Sequence, residues 1–244
     1  MPPTVIIVRH AQGDHNVGNK WRLKDATLTK IGMQQCASLA EWFPFHDKVD
    51  LMVSSPLRRT IQTAVHSFGP ILTRTEVPFL LHPKAQEVSE RNCNVGFAKE
   101  PLKAEVKKLF EGHDLGYDVG SRIDYDGVEE GWNSKKGYWG PEKEAVEKRA
   151  ADMRAWLYER SEKTIVLVTH GAFLHYFTED WEGYHPSLGS AYHNCEVRQF
   201  TFTPESTQGD AHIKETTWSR ENRSHVAEKE SVVVAERDGV RPAL

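Results

Sequence analysis

Only three cysteines occur in 244 residues, Cys36, Cys93 and Cys195, odd in number and far apart. With no CxxC pair among them, they speak against a disulfide framework and a structural zinc site, and they read as reduced thiols in a cytosolic, hence cytoplasmic, setting. No apolar run approaches the ~20 residues that cross a bilayer. The opening MPPTVIIVRHAQ has no basic n-region and a single four-residue apolar run, so it does not read as a secretory signal. Excess positive charge is missing as well. Lys and Arg number 31 against 35 Asp and Glu, and the net charge of −4 provides no global field that would draw in nucleic acid or a membrane surface. An anionic substrate must then be held by a local cluster of arginines. Among 12 histidines there is no H-E-x-x-H and no clustered Asp/His pattern. His10 and His15 stand five apart, as do His170 and His175, so neither a metal nor a cofactor is expected.

What is present is the composition of an ordinary soluble protein, 39% hydrophobic and 27% charged. A chain of this length buries roughly 70% of its unfolded surface, enough for one substantial core. Val5-Ile6-Ile7-Val8 is a short β-branched run, as in a strand buried on both faces. A helix is predicted from Leu28 to Phe43, a strand over Asp50 to Ser54, a helix from Pro56 to Phe68 and a short strand at Glu76 to Leu81. From about His82 to Gly140 the strand period is lost and Gly, Asp, Tyr and Trp accumulate, which predicts an inserted lid with one short helix near Leu102 to Glu111. Regularity returns with a charged helix from Pro141 to Glu162, a strand at Thr164 to Thr169, a helix at Ala172 to Thr178 and a last strand at Val197 to Thr203. This alternation predicts a three-layer α/β/α sandwich with a mostly parallel central sheet, a single domain over 1–204, and a polar extension over 205–244.

Three segments directly follow buried strands, where ligands of such sheets bind. They are Arg9-His10-Ala11-Gln12-Gly13-Asp14-His15-Asn16, the stretch Ser54 to Ala64, and Val168-Thr169-His170-Gly171. If their strands are neighbours, two histidines and two or three arginines converge. A neutral imidazole is a competent nucleophile near pH 7. Two arginines can fork onto phosphoryl oxygens with charge-assisted hydrogen bonds. A loose phosphoryl-transfer transition state needs little beyond positioning and charge balance. A carboxylic acid must also protonate the leaving oxygen and later deprotonate a water, and the insertion is the expected carrier of that group.

These segments resemble the histidine phosphatase superfamily, which includes the cofactor-dependent phosphoglycerate mutases. Its R-H-G-x-x-x-x-N is matched by Arg9, His10 and Asn16, and its L-T-x-x-G-x-x-Q by Leu28, Thr29, Gly32 and Gln35. Its S-S-P-L-x-R-x-x-Q-T-A is matched from Ser54 to Ala64, and its closing S-H-G by Thr169-His170-Gly171. The resemblance implies His10 as phospho-acceptor, Arg9 and Arg59 as ligands of the phosphoryl oxygens, and His170 as a hydrogen-bond donor to the same group. Asn16 would contact phosphate or substrate, His15 would line the pocket or the loop surface, and Arg58 would face away. The general acid is Glu87 of Ala85-Gln86-Glu87, or else Glu90 of Glu90-Arg91. Ala11 replaces the family's glycine. If that position needs positive φ, alanine is strained there and Gly13 takes over the flexibility. R-H-A-Q-G-x-H-N resembles a eukaryotic subgroup of the family.

The resemblance thus implies a metal-independent phosphatase acting on a small phosphate monoester through phosphohistidine. A phosphomutase of the phosphoglycerate mutase type keeps the same intermediate, and a silent phospholigand binder keeps only the binding groups. Trp132, Tyr138 and Trp139 read as lid packing, and Asn194, Cys195 and Glu196 as a structural turn. The remaining histidines, His46, His66, His82, His113, His185, His193, His212 and His225, carry no motif and read as surface or packing residues. Nothing in the sequence sets an oligomeric state.

Overall fold

The β-branched residues Val5 to Val8 form the middle of strand β1 (Thr4–Arg9) and are wholly buried, as a strand covered on both faces requires. The computed structural model describes residues 1–18, 20–182 and 192–222. In chain order β1 is followed by α1 (Lys30–Trp42), β2 (Leu51–Ser54), α2 (Arg58–Ser67), α3 (Gly69–Leu72), β3 (Phe79–Leu81), α4 (Lys99–Phe110), α5 (Val119–Arg122) and β4 (Ile123–Asp124). Then come α6 (Lys143–Tyr158), β5 (Thr164–Thr169), α7 (Gly171–Thr178), β6 (Val197–Phe202), β7 (Ile213–Glu215) and α8 (Thr217–Asn222).

Among the described residues seven strands make one sheet in the order β4-β3-β2-β5-β1-β6-β7. β1 through β5 pair in parallel, whereas β6 and β7 close one edge antiparallel. Side chains alternate across the sheet. Ile6, Val8, Met52 and Val166 pack on one face with Leu39, Ile61 and Leu102 of α1, α2 and α4. Val5, Ile7, Leu51 and Leu167 pack on the other with Ala150, Met153, Phe173 and Phe177 of α6 and α7. The result is the three-layer α/β arrangement with a mostly parallel sheet.

The register of this sheet positions the chemistry. Arg9 lies opposite Thr169 on the β1–β5 pair, so the next residues, His10 and His170, leave the sheet side by side. On the other flank of β5, Ser54 lies opposite Val168, which brings Ser55 to the same edge.

Two parts of the chain differ from the sequence reading. The segment from 82 to 140, expected as an inserted lid, also adds to the sheet: its Ile123–Asp124 enters it as β4 beside β3. Its indole Trp132 is wholly buried, with Nε1 donating to the Phe97 carbonyl at 3.2 Å. The sheet also continues beyond residue 204. Ile213 is buried, β7 pairs with β6, and Ser219 of α8 donates to Glu215 at 2.6 Å and accepts from Gln199 N–H at 2.9 Å. The packed structure therefore runs at least to Asn222, past the boundary expected at residue 204. Val232-Val233-Val234, His185 and His225 lie outside the described residues.

Candidate active site

Helix α1 starts where it does because the first loop needs an anchor. Thr29 caps it, its Oγ1 accepting from Gly32 N–H at 3.0 Å and donating to Gln12 Oε1 at 2.8 Å. Gln35 Oε1, two turns on, accepts from Gln12 N–H at 2.8 Å. Gly32 lies so close to the Gln12 carbonyl that a Cβ there would collide with backbone. The Thr, Gly and Gln of this motif thus all grip Gln12, two residues past His10. From α2, Thr63 Oγ1 accepts from Ala11 N–H at 3.0 Å and Gln62 Oε1 from Leu28 N–H at 3.0 Å.

Ala11 is wholly buried and does not adopt positive φ, so no glycine is needed there. Gly13 has φ −97, an ordinary extended conformation. What it supplies is space: a Cβ at Gly13 would stand 2.7 Å from His15 Nδ1.

The imidazole of His10 is buried at this loop's start. Its Nδ1–H donates to the Ala11 carbonyl at 2.7 Å, which fixes the tautomer and leaves the lone pair on Nε2. Asn194 Nδ2 donates to the His10 carbonyl at 2.7 Å, and Cys195 N–H to the Arg9 carbonyl at 3.0 Å, so the 194–196 turn holds the backbone under the imidazole. The rings of His15 and His170 lie 5.4 and 5.2 Å from that of His10.

Arg59 is entirely buried at the start of α2. Its Nη1 donates to the Cys93 carbonyl at 2.7 Å, and Nη2 to Asn94 Oδ1 at 2.8 Å and His170 Nδ1 at 3.0 Å. Its Nε has no hydrogen-bond partner among the described residues. Because His170 Nδ1 accepts from Arg59, its Nε2 carries the proton and donates to Ser55 Oγ at 2.9 Å. The one N–H of this imidazole is thus committed to Ser55 in this arrangement. Arg9 Nη1 donates to the Tyr192 carbonyl, and its positive charge acts on His10 and His15. Arg58 points elsewhere, to the Asp25 carbonyl at 2.7 Å and Glu105 at 2.7 Å.

The two candidate acids part company. The half-buried Glu87 sets its carboxylate at the N-terminus of α7, Oε1 accepting from Val88 N–H at 2.9 Å and Phe173 N–H at 3.0 Å, Oε2 from Ala172 N–H at 3.4 Å. It lies within electrostatic reach of Arg59. Glu90 is exposed and lines an outer cleft with Trp21, Arg22, Arg91 and Asn92. Asn16 bends back on its own loop, Oδ1 accepting from Gly13 N–H at 2.9 Å. Sequence reasoning missed Asn94, Lys135 and Arg149; no motif marks them. Ser55 and Thr63 lie within the Ser54 to Ala64 motif, and only the fold shows that they hold His170 and Ala11. Among the described residues no three His, Cys, Asp or Glu side chains are grouped to hold a metal ion, and no helix is long and apolar enough to cross a membrane.

Burial, then Arg59, then neighbouring histidine and Arg9 hold His10 well below the usual imidazole range. Burial and Arg59 do the same to His15 and His170. Such groups stay neutral in the folded state while the unfolded chain takes up protons below ~6.5. Their contribution to stability is complete above that pH and is lost as pH falls, by about 1.4 kcal/mol per pH unit for each histidine. His66 and His82, pushed by burial to about 4 and about 3, act in the same sense. Asp25, which burial pushes up to about 7, and His212, which its hydrogen bond to Glu179 raises, oppose them. The expected result is a urea midpoint that drops clearly from pH 7.5 to pH 5.5, with a shallower drop in His15→Gln. Equal slopes in the two proteins would remove His15 from this set.

The family model for the histidine phosphatase superfamily (branch 1) matches residues 5–111 and 121–213. A phosphoglycerate mutase-like protein 1 of Arabidopsis thaliana is 28% identical over an alignment of 244 residues, covering 84% of this chain and 83% of the relative. A mycobacterial glucosyl-3-phosphoglycerate phosphatase solved with VO3 superposes with a TM-score of 0.52 at 18% identity, over 89% of this chain and 99% of that one. The ecdysone phosphate phosphatase of Bombyx mori, solved with tungstate, gives 0.51 at 13% identity, over 88% and 92%. By the family match across both halves of the sheet and the four motifs it contains, the chain belongs to the histidine phosphatase superfamily.

Proposed function

We propose that this protein is a phosphatase that hydrolyses a phosphate monoester in two steps through a phosphohistidine on His10. The observation that carries the reading is the state of that imidazole. It is neutral, its Nδ1–H is spent on the Ala11 carbonyl, and Nε2 keeps its lone pair in a field made positive by Arg9 and Arg59. A nucleophile of this kind needs no metal to lower its pKa.

In the first step Nε2 attacks phosphorus as the bond to the ester oxygen breaks. Arg59 and Arg9 balance the charge on the equatorial oxygens. Asn16, with its carbonyl oxygen used by Gly13, turns its N–H groups toward a phosphoryl oxygen, and His15 walls the nucleophile. His170 donates to the same group when its Nε2–H exchanges Ser55 for a phosphoryl oxygen. Glu87 gives its proton to the leaving oxygen. Its Oε1 already accepts two amide protons and Oε2 only the longer bond from Ala172, so Oε2 is the atom that carries it. In the second step Glu87 takes a proton from water as water displaces His10 from phosphorus. A small phosphate ester as substrate accords with the names of the similar solved phosphatases. A cytoplasmic setting accords with the three reduced thiols.

Hydrolysis of p-nitrophenyl phosphate that is unchanged by EDTA is the expected result, and loss of activity in EDTA would contradict metal independence. The phosphoglycerate mutase-like relative gives a second reading some ground. Incubation with 3-phosphoglycerate separates the two, since a mutase yields the isomeric phosphoglycerate and a phosphatase yields inorganic phosphate.

A further inference from the structure

Four consecutive carbonyls precede and include the proposed acid, and side chains take every one of them. Arg149 Nη1, from α6, donates to the Lys84 carbonyl at 2.9 Å and the Gln86 carbonyl at 2.5 Å. Thr169 Oγ1, at the end of β5, donates to the Ala85 carbonyl at 2.7 Å. Lys135 Nζ, from the segment between β4 and α6, donates to the Glu87 carbonyl at 2.8 Å. An irregular strand of backbone has no ladder to satisfy it, so these donors also fix its path. Gln86 adds a fifth tie, donating to the Trp132 carbonyl at 2.7 Å.

Two of these donors are unusual cations. Arg149 is wholly buried, its guanidinium lies 4.9 Å from the centre of the Phe173 ring, and its Nε and Nη2 have no hydrogen-bond partner among the described residues. Lys135 is only 7% exposed, and its backbone has φ 54, in the left-handed region that disfavours any residue with a Cβ. Burial pushes the Lys135 ammonium down to about 7, and a buried basic group on strained backbone is an arrangement that folding alone does not favour. Lys135 and Arg149 both act electrostatically on Glu87, and Lys135 also acts on Arg59 and His170.

We propose that Lys135 is a positioning residue that, with Arg149 behind it, fixes Glu87 for proton transfer to the leaving oxygen. This rests on the reading of Glu87 as the general acid. The consequence is specific. Loss of Lys135 leaves His10 and the arginines in place, so attack on phosphorus survives while proton donation fails. An ester that leaves as a stable phenolate hardly needs the proton, whereas an alkyl ester depends on it.

The test measures kcat/KM for p-nitrophenyl phosphate and for glycerol 2-phosphate in wild type, Lys135→Met, Lys135→Arg and Glu87→Gln, each pair in one enzyme preparation. The ratio of the two rates does not depend on how much of a variant is folded. Lys135→Met is expected to lose on the order of 10²-fold on the alkyl ester and less than about tenfold on the nitrophenyl ester. Lys135→Arg, which keeps the cation and its N–H, should recover most of the ratio. Glu87→Gln should show the same selective loss. If Glu87→Gln lowers both esters alike, the assignment of Glu87 itself fails. If Glu87→Gln is selective while Lys135→Met leaves the ratio unchanged, the role given to Lys135 fails and Glu87 stands.

Discussion

Replacing His10 with alanine is expected to lower kcat/KM for p-nitrophenyl phosphate on the order of 10⁴-fold or more. Neither neighbouring imidazole is set up to take over. His170 uses its Nδ1 lone pair on Arg59 and its Nε2–H on Ser55, and the Nδ1 of His15 has no hydrogen-bond partner among the described residues to fix its tautomer. Ester binding should change by less than about tenfold, because both arginines remain. The fold should survive with a loss of about 1–3 kcal/mol, since the variant exchanges a buried ring for a cavity while its carbonyl can still accept from Asn194. Paired measurements of turnover, binding of inorganic phosphate and urea unfolding check the three parts separately. A His10→Ala protein with substantial turnover would remove the nucleophile from the mechanism.

Arg59→Lys keeps the positive charge and is nevertheless expected to be severe. A lysine ammonium cannot reach the Cys93 carbonyl, Asn94 Oδ1 and His170 Nδ1 at once, which the planar guanidinium does. At least one buried acceptor then loses its donor, at a cost of about 1–3 kcal/mol in stability. The fork onto the phosphoryl oxygens is lost with the guanidinium plane, and kcat should fall by about 10² to 10³-fold. His170 also loses the partner that holds its tautomer. Because lysine keeps a positive charge beside the histidines, burial and that charge should still hold them neutral, and the acid limb of the pH–rate profile should stay in place. An Arg59→Lys enzyme within threefold of wild type in kcat would show that charge alone is what this position supplies.

How much of this was legible follows from length and period. Val5 to Val8 and Thr164 to Thr169 are long enough for their apolar runs to announce strands, and the motifs that follow them fixed His10 and His170 at neighbouring ends. β4 and β7 were missed because two or three residues show no alternation, and each is held by the strand beside it. On α6 Val146, Ala150, Met153 and Leu157 recur at helical spacing and are buried. Arg149 on the same helix belongs to no motif and no apolar stripe. Its burial depends on the carbonyls of residues 84 and 86 converging from 65 and 63 positions upstream, a match that local sequence does not encode. The same holds for Lys135, whose acceptor belongs to Glu87. Gly13 shows a subtler limit. A glycine in a loop suggests freedom of φ, yet here the requirement is room for the His15 ring.

The central claim is a covalent bond between phosphorus and Nε2 of His10. The direct test is to mix enzyme with a radiolabelled phosphate monoester, quench in alkali within the turnover time, and map the label by peptide. The expected result is an acid-labile, alkali-stable label on the peptide that carries His10, formed as fast as turnover requires and absent from His10→Ala. Steady hydrolysis with no label on that peptide at any quench time, or label on another residue, would contradict it.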